Sequence, residues 1–269
     1  MIDASVALPP RATRPSPAGI ILISVWLAVF AGLIAALLAS MTGDRLERFG
    51  PLIVRGFFTT IALVTVSILI GAVISFAIAA GRLSQNRVIA TLAYGYSYFF
   101  RGTPLIAQTF LIYYGAGQFA PLLRDVGLWP FFRDAYDCAI LSFALNTAAY
   151  QAEILAGAIR GVSSGQREAA AALGLHKFVI LTRIVLPQAI ITALRPYGNE
   201  IATMIKSSAI ASIITVLDLM GETRYVFSQT YDISFYLWAA VFYLILVEAL
   251  RRLSNWLERR LTVHLVRAK

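Results

Sequence analysis

The chain has 269 residues, 59% of them hydrophobic and only 14% charged, with a mean hydropathy of +0.74. That is more apolar surface than one soluble core of this size can enclose, which excludes an ordinary water-soluble domain and makes lipid the solvent for the remainder. A single cysteine, Cys138, excludes an internal disulfide or a multi-cysteine zinc site, and the net charge of +9 is too dispersed for a nucleic-acid footprint.

Residues 1–18 are rich in Pro and Ala without periodicity and read as a disordered cytoplasmic leader. No residue is charged between Arg14 and Asp44, or again between Arg55 and Arg82. Each stretch is long enough to cross a hydrocarbon core of about 30 Å. The first exceeds a cleavable signal core and lacks a small-residue cleavage site, so residues 19–54 are expected to hold a retained span and the outer loop after it. In the second, Gly71, Ser75 and Ala79 recur every four residues, a small-residue face suited to ordinary packing between spans.

Within the main unit, residues 55–255, further apolar segments lie at 92–117, 138–159, 187–217 and 233–250. The first of these is interrupted by Arg101, Gly102 and Pro104, which predicts a broken helix or one that starts only after Pro104. The outer loop 118–137 carries Trp129 and Pro130 and predicts a short interfacial helix. Beyond Leu250, Arg251, Arg252, Trp256, Arg259 and Arg260 suit a helix leaving the bilayer through the headgroup layer. Glu248 pairs with Arg252 one turn on, and residues 256–269 form a basic cytoplasmic tail. The fold class is all-α, a polytopic membrane bundle of about six spans.

The charges orient it. With both ends cytoplasmic, the inner segments collect Arg11, Arg14, Arg82, Arg87, Arg101, Arg160, Arg167, Lys177, Arg183 and the arginines of the tail. The outer loops keep Arg45, Arg48, Arg55, Arg124, Arg133 and Arg224 together with most of the acids, among them Asp44, Asp134, Asp218 and Glu222. Basic residues accumulate on the cytoplasmic side of short loops, so this arrangement is self-consistent.

The inner loop 161–187 is too structured for a linker. Ser163 with Gln166 three residues on has the capping-box pattern, Glu168–Leu173 is Ala-rich, and Gly174 supplies a stop, which together predict a helix of about 15 Å. Phe178, Leu181, Ile184 and Val185 are expected to line one side of the next stretch, and Pro187 suits the first turn of the following span. The small Ala residues leave a shallow surface on which Arg167 and Glu168 supply polar contacts. Composition alone also fits a helix that merely connects two spans.

Resemblance separates these readings. Glu168, Ala169, Ala170, Gly174, Ile184, Leu186 and Pro187 resemble the complete E-A-A-x3-G-x9-I-x-L-P loop of ABC import permeases. The resemblance runs over roughly residues 52–256. Phe100–Leu105, containing Arg101, Gly102, Thr103 and Pro104, together with Gln108, Tyr113–Gly115 and Asn146–Tyr150, resembles the polar amino-acid branch. Trp129, Pro130, Arg133 and Cys138 are similar to members associated with histidine, basic amino acids and opines. Ser207–Ala209 departs from the family pattern. The resemblance implies a type I importer-like permease in the bacterial inner membrane, whose inner loop is a coupling helix seated in a cytoplasmic ABC ATPase. It also implies a second permease, identical or related, and an extracytoplasmic solute-binding protein.

Ionisable residues inside spans cost about 2.5–3.5 kcal/mol each on insertion scales, so Glu153, Arg195, Glu200 and Lys206 should face a cavity or a partner. Asn146, Tyr150 and Glu153 share a helical face, which with Lys206 is the candidate substrate path; a carboxylate there suits a substrate ammonium. The alternative is that Glu153 pairs with Lys206 or Arg195 and holds spans together. Arg195 and Glu200 are the weaker candidates, as helix-pairing residues.

The chain carries no phosphate-cradling G-x-x-x-x-G-K-[ST] sequence, so ATP hydrolysis is expected on a separate subunit and this chain is not itself an enzyme. His176 and His264 are far apart, and no catalytic group, metal or cofactor is expected. An ion-gradient-driven secondary transporter is the rival class, since it too places charges and a broken helix at mid-membrane.

Overall fold

A computed structural model describes residues 16–40 and 43–266, the last five by backbone alone. Most of the leader 1–18, with Arg11 and Arg14, and Arg267 and Lys269 of the tail fall outside the described residues. The chain divides into two units at Glu47 and Arg48. The first contains α1 (Pro17–Ser40), which has no charged residue and no buried one.

The second unit holds most of α2 (Gly43–Arg82), which begins earlier than expected. The segment read as an outer loop is its first turns: Asp44 sits near the positive N-terminus, and Leu, Glu and Arg there are good helix formers. Next come α3 (Arg87–Gly102), α4 (Leu105–Gln118), two short helices α5 (Ala120–Asp125) and α6 (Trp129–Phe132), and α7 (Ala135–Arg160). The inner loop contributes α8 (Ser164–Ala172) and α9 (Lys177–Val179). A π-turn over Ile180–Val185 joins α9 to α10 (Leu186–Ser207). A 3₁₀ segment, Ser208–Ile214, leads to α11 (Leu219–Thr230) and α12 (Ser234–Val266).

Among the described residues, four helical stretches are long and apolar enough to cross a membrane: Pro17–Ser40, Gly43–Arg82, Lys177–Ile214 and Ser234–Leu261. Helix α7 is long enough at 26 residues, or about 39 Å, but more polar. It lies at the centre, packed by α3, α4 and α10, while α10 also packs on α12. Asp134 caps its start by accepting from the N–H groups of Tyr136 and Asp137.

Close approaches set the spacing. A Cβ added to Gly71 of α2 would lie 2.5 Å from Thr147 Cγ2 and 3.1 Å from the Ala144 carbonyl, so the Gly71, Ser75, Ala79 face is the seat of α2 on α7. At the end opposite α8, Gly56 lets α2 approach the backbone of Asp218, and the buried Glu222 accepts from Arg55 Nε at 2.9 Å. Asp218 caps α11 by accepting from the Gly221 N–H, and Tyr243 donates to its other oxygen at 3.3 Å.

The expected break in the third apolar segment is present. Thr103 is extended (φ −111°, ψ 147°) because the Pro104 ring excludes helical geometry at the residue before it. Helices α3 and α4, about 24 and 21 Å long, are each too short to span alone.

Candidate functional site

The inner loop is rigid on one side and bare on the other. Ala170 is buried against Val162, Ile180 and Val185. Gly174 adopts φ +77°, the left-handed geometry that ends α8 and that side chains with a Cβ disfavour. Pro187 stands in the first turn of α10 as expected. The helix reaches it through the π-turn, where the Leu186 N–H donates five residues back to the Leu181 carbonyl. Such widening accommodates a proline ring that would otherwise strike the carbonyl one turn earlier.

Three details of the loop differ from expectation. Ser163 precedes α8 but makes no side-chain cap, and the Gln166 side chain, which a capping box would turn back to the Ser163 N–H, accepts from Gln188 of α10 at 2.6 Å. Arg167 is turned inward, donating to the Val162 carbonyl at 3.0 Å, so it braces the loop rather than offering a free contact. Phe178 and Leu181 are exposed while Val185 is buried and Ile184 partly so, because the π-turn shifts the register of the apolar stripe. Glu168, Ala169, Leu173 (80% exposed) and Phe178 (67%) form the bare side, with Pro187 exposed and Leu186 half-buried.

The second group of polar residues lies about seven residues, or 10 Å, from the α8 end of α7. Glu153 is bound by Arg82 at 2.8 Å and faces Arg101 at 3.6 Å. Neither Lys206 nor Arg195 is its partner. Arg195 pairs with Glu258 of α12, and Lys206 is exposed in the last turn of α10, some 30 Å along the helix from Leu186. The Arg101 guanidinium lies over the Tyr150 ring, 5.4 Å from its centroid. Arg101, Tyr150 and Glu153 line an open groove of about 400 Å³, closed on its other side by Thr192 and Pro196 of α10.

Asn146 lies outside that groove. It is buried and donates to the Phe100 carbonyl at 2.9 Å and to Gln108 Oε1 at 3.0 Å. Gln108 in turn donates to the Phe100 carbonyl at 2.9 Å and to Thr103 Oγ1 at 2.7 Å. The break at Thr103–Pro104 strips carbonyls of their helical donors, and lipid offers none, so the two amides supply them. Gly102, Thr103 and Pro104 thus form a fixed joint, with Arg101 in the last turn of α3 just before it. Deeper still, Thr147 donates to the buried Glu200 at 2.8 Å, tying α7 to α10.

Arg82 was legible only as a loop charge; its place on Glu153 depends on how α2 lies beside α7. Gln108 had a local signal, a polar residue one turn after a proline break in an apolar segment. The described residues contain no cluster of three or more His, Cys, Asp or Glu able to hold a metal.

Residues 73–263 match the family model of the binding-protein-dependent transport system inner membrane component. The chain is 45% identical over 221 residues to the nopaline transport system permease protein NocM of Agrobacterium fabrum, covering 82% of this chain and 91% of that protein. It is 33% identical to the arginine ABC transporter permease protein ArtM of Escherichia coli K12, covering 78% and 94%. A crystal structure of an amino acid ABC transporter with histidines superposes with a TM-score of 0.72 at 33% identity, over 82% of this chain and all of that one. Taken with the apolar helices, the broken third segment and the braced inner loop, these likenesses establish that the chain belongs to the inner-membrane components of binding-protein-dependent transport systems, the multi-pass permease subunits of ABC importers.

Proposed function

We propose that this permease carries an opine or a basic amino acid inward across the cytoplasmic membrane, with both termini cytoplasmic and with the bare side of α8 seated in a cytoplasmic ATPase. The substrate class rests on the nopaline and arginine permeases to which the chain is similar. The observation that carries the coupling role is the asymmetry of α8. Its buried side, through Ala170 and Gln166, is tied to the start of α10, and its other side presents Glu168, Ala169 and Leu173, which no element covers among the described residues. A force on that side reaches α7 and α10 directly, and these are the helices that wall the Arg101–Glu153 groove. A second permease, identical or related, completes the pathway about a two-fold axis, and a binding protein delivers substrate to the outer loops.

The groove has both signs of charge that a basic amino acid carries. A substrate cation meets Glu153 and its carboxylate meets Arg101, whose bond to Glu153 is the longer and more exposed of the two. Because Glu153 is already paired, substrate must displace an arginine rather than fill an empty site, which favours release over tight retention. Asn146 serves this reading by holding the joint that aims Arg101, and Lys206, at another depth, belongs to a different part of the path or to the partner permease.

Pull-down of the tagged chain with its ATPase tests the coupling role. Glu168→Lys and Gly174→Asp are expected to weaken ATPase association at least about tenfold while the chain still inserts. Undiminished association in both variants would overturn it.

A further inference from the structure

Thr147 and Glu200 stand just beyond the deep end of the Arg101–Glu153 groove. Moving away from α8, Thr147 lies one turn past Tyr150 on α7 and Glu200 one turn past Pro196 on α10, about 5 and 6 Å further into the span. The two side chains meet there at 2.8 Å, and Glu200 is only 9% exposed.

Each other buried or partly buried glutamate among the described residues has an arginine. Glu153 has Arg82, Glu222 has Arg55, Glu248 has Arg251 and Arg252, and Glu258 has Arg195. Glu200 has no ion-pair partner among those residues. One of its oxygens accepts from Thr147; the other accepts from no described residue, yet it is not sealed from the surface. Tying α7 to α10 needs only an acceptor, which a glutamine would supply without the cost of carrying a charge into the span. A carboxylate kept there suits a cation that arrives from outside the chain. Arg101 is close enough to attract it, but its guanidinium lies over the Tyr150 ring and faces Glu153 at 3.6 Å, with the side chain 42% exposed. A substrate carboxylate that draws Arg101 aside therefore takes a cation away from beside Glu200.

We infer that Glu200 is a second acidic subsite of the substrate path, taking the side-chain cation of a basic substrate while the α-ammonium group meets Glu153. This rests on the basic-substrate reading above and adds to it the residue that selects the side chain. The levels of the two carboxylates differ by six residues of α7, from Glu153 to Thr147, or about 9 Å. That spacing suits a long, extended side chain with a cation at its end. Arg82 already neutralises Glu153, so discrimination falls chiefly to Glu200, and a neutral side chain of the same length gains nothing from it.

The test uses the complete transporter, with its ATPase and partner permease, in nanodiscs without binding protein, so that selection by the permeases alone is read. Two probes of nearly equal shape are titrated: L-arginine and L-citrulline, in which an uncharged ureido group replaces the guanidinium. The wild type should bind L-arginine at least about tenfold more tightly. Glu200→Gln keeps an acceptor for Thr147 and so keeps the tie between the helices. It should bring the two dissociation constants together by weakening L-arginine and leaving L-citrulline unchanged. Thr147→Val, which breaks the tie but keeps the carboxylate, should lower the thermal midpoint and retain the preference. An undiminished preference in Glu200→Gln, or an equal loss for both probes, would overturn the subsite while leaving the basic-substrate reading in place. Absence of any preference for L-arginine in the wild type would overturn that reading, and the subsite with it.

Discussion

Helices α1 and α7 have opposite relations between composition and burial. Helix α1 is uncharged along its whole length and has no buried residue; Trp26, Phe30 and Leu38 are each more than 60% exposed. Helix α7 carries Asn146, Thr147, Gln151 and Glu153, yet buries most of its side chains. The difference teaches what hydropathy measures. It reports which side chains meet lipid, so a helix sheathed by other helices is free to be polar, provided each polar group finds a donor or acceptor in its neighbours. That freedom lets α7 host the groove.

The comparison is broken most forcefully at Phe143, which is fully buried on α7. Phe143→Ala should cost about 3–5 kcal/mol, read as a fall in the unfolding midpoint of the purified transporter, whereas Phe30→Ala on α1 should stay within about 0.5 kcal/mol. Gly71→Leu should cost about 1–3 kcal/mol or force α2 from α7, because the space for even a Cβ is taken by Thr147. Gly32→Leu is its control, since an added Cβ on α1 meets no atom within 4 Å. Equal effects at the paired positions would mean that α1 is as closely packed as α7.

Asn146→Ala sharpens the argument about polar groups. It removes one of two amides on the Phe100 carbonyl and should cost about 1–3 kcal/mol, with a double-mutant cycle against Gln108→Ala showing coupling, since the two amides also bond to each other. A pH-dependent effect is expected at the opposite end, where Asp218 lies outside the spans. Burial pushes its carboxyl up from 3.8 to about 6, against the opposing hydrogen bonds from the Gly221 N–H and Tyr243. A carboxyl raised by folding stabilises most below its unfolded value, and that contribution is lost as pH rises through about 6. Thermal midpoints measured from pH 4 to 7 should therefore show a downward step that Asp218→Asn flattens; an unchanged profile in the variant would assign the step elsewhere.

Much of the fold was legible because lipid and helical periodicity act locally. The uncharged runs, the break before Pro104 and the position of α8 with Gly174 after it all follow from a residue and its near neighbours. The misses share a different cause. Ser163 and Gln166 have the spacing of a capping box, but Gln188 of another helix competes for the glutamine and wins. Arg167 looks like an outward contact until the Val162 carbonyl, left without a helical donor, draws it in. Asn146 shares a helical face with Glu153 by spacing, yet the broken turn of α3 draws its amide out of the groove.

Composition and pattern alone therefore decided the solvent, where most of the apolar helices lie, and the loop that marks the permease family. Which arginine holds Glu153, which amides close the joint at Thr103, and which side of α8 is left bare were decided only when the helices packed. Burial in lipid is a property a segment carries along its own length. A buried polar group must be satisfied by whichever element lies beside it, and for Asn146 and Glu153 those elements come from dozens of residues away.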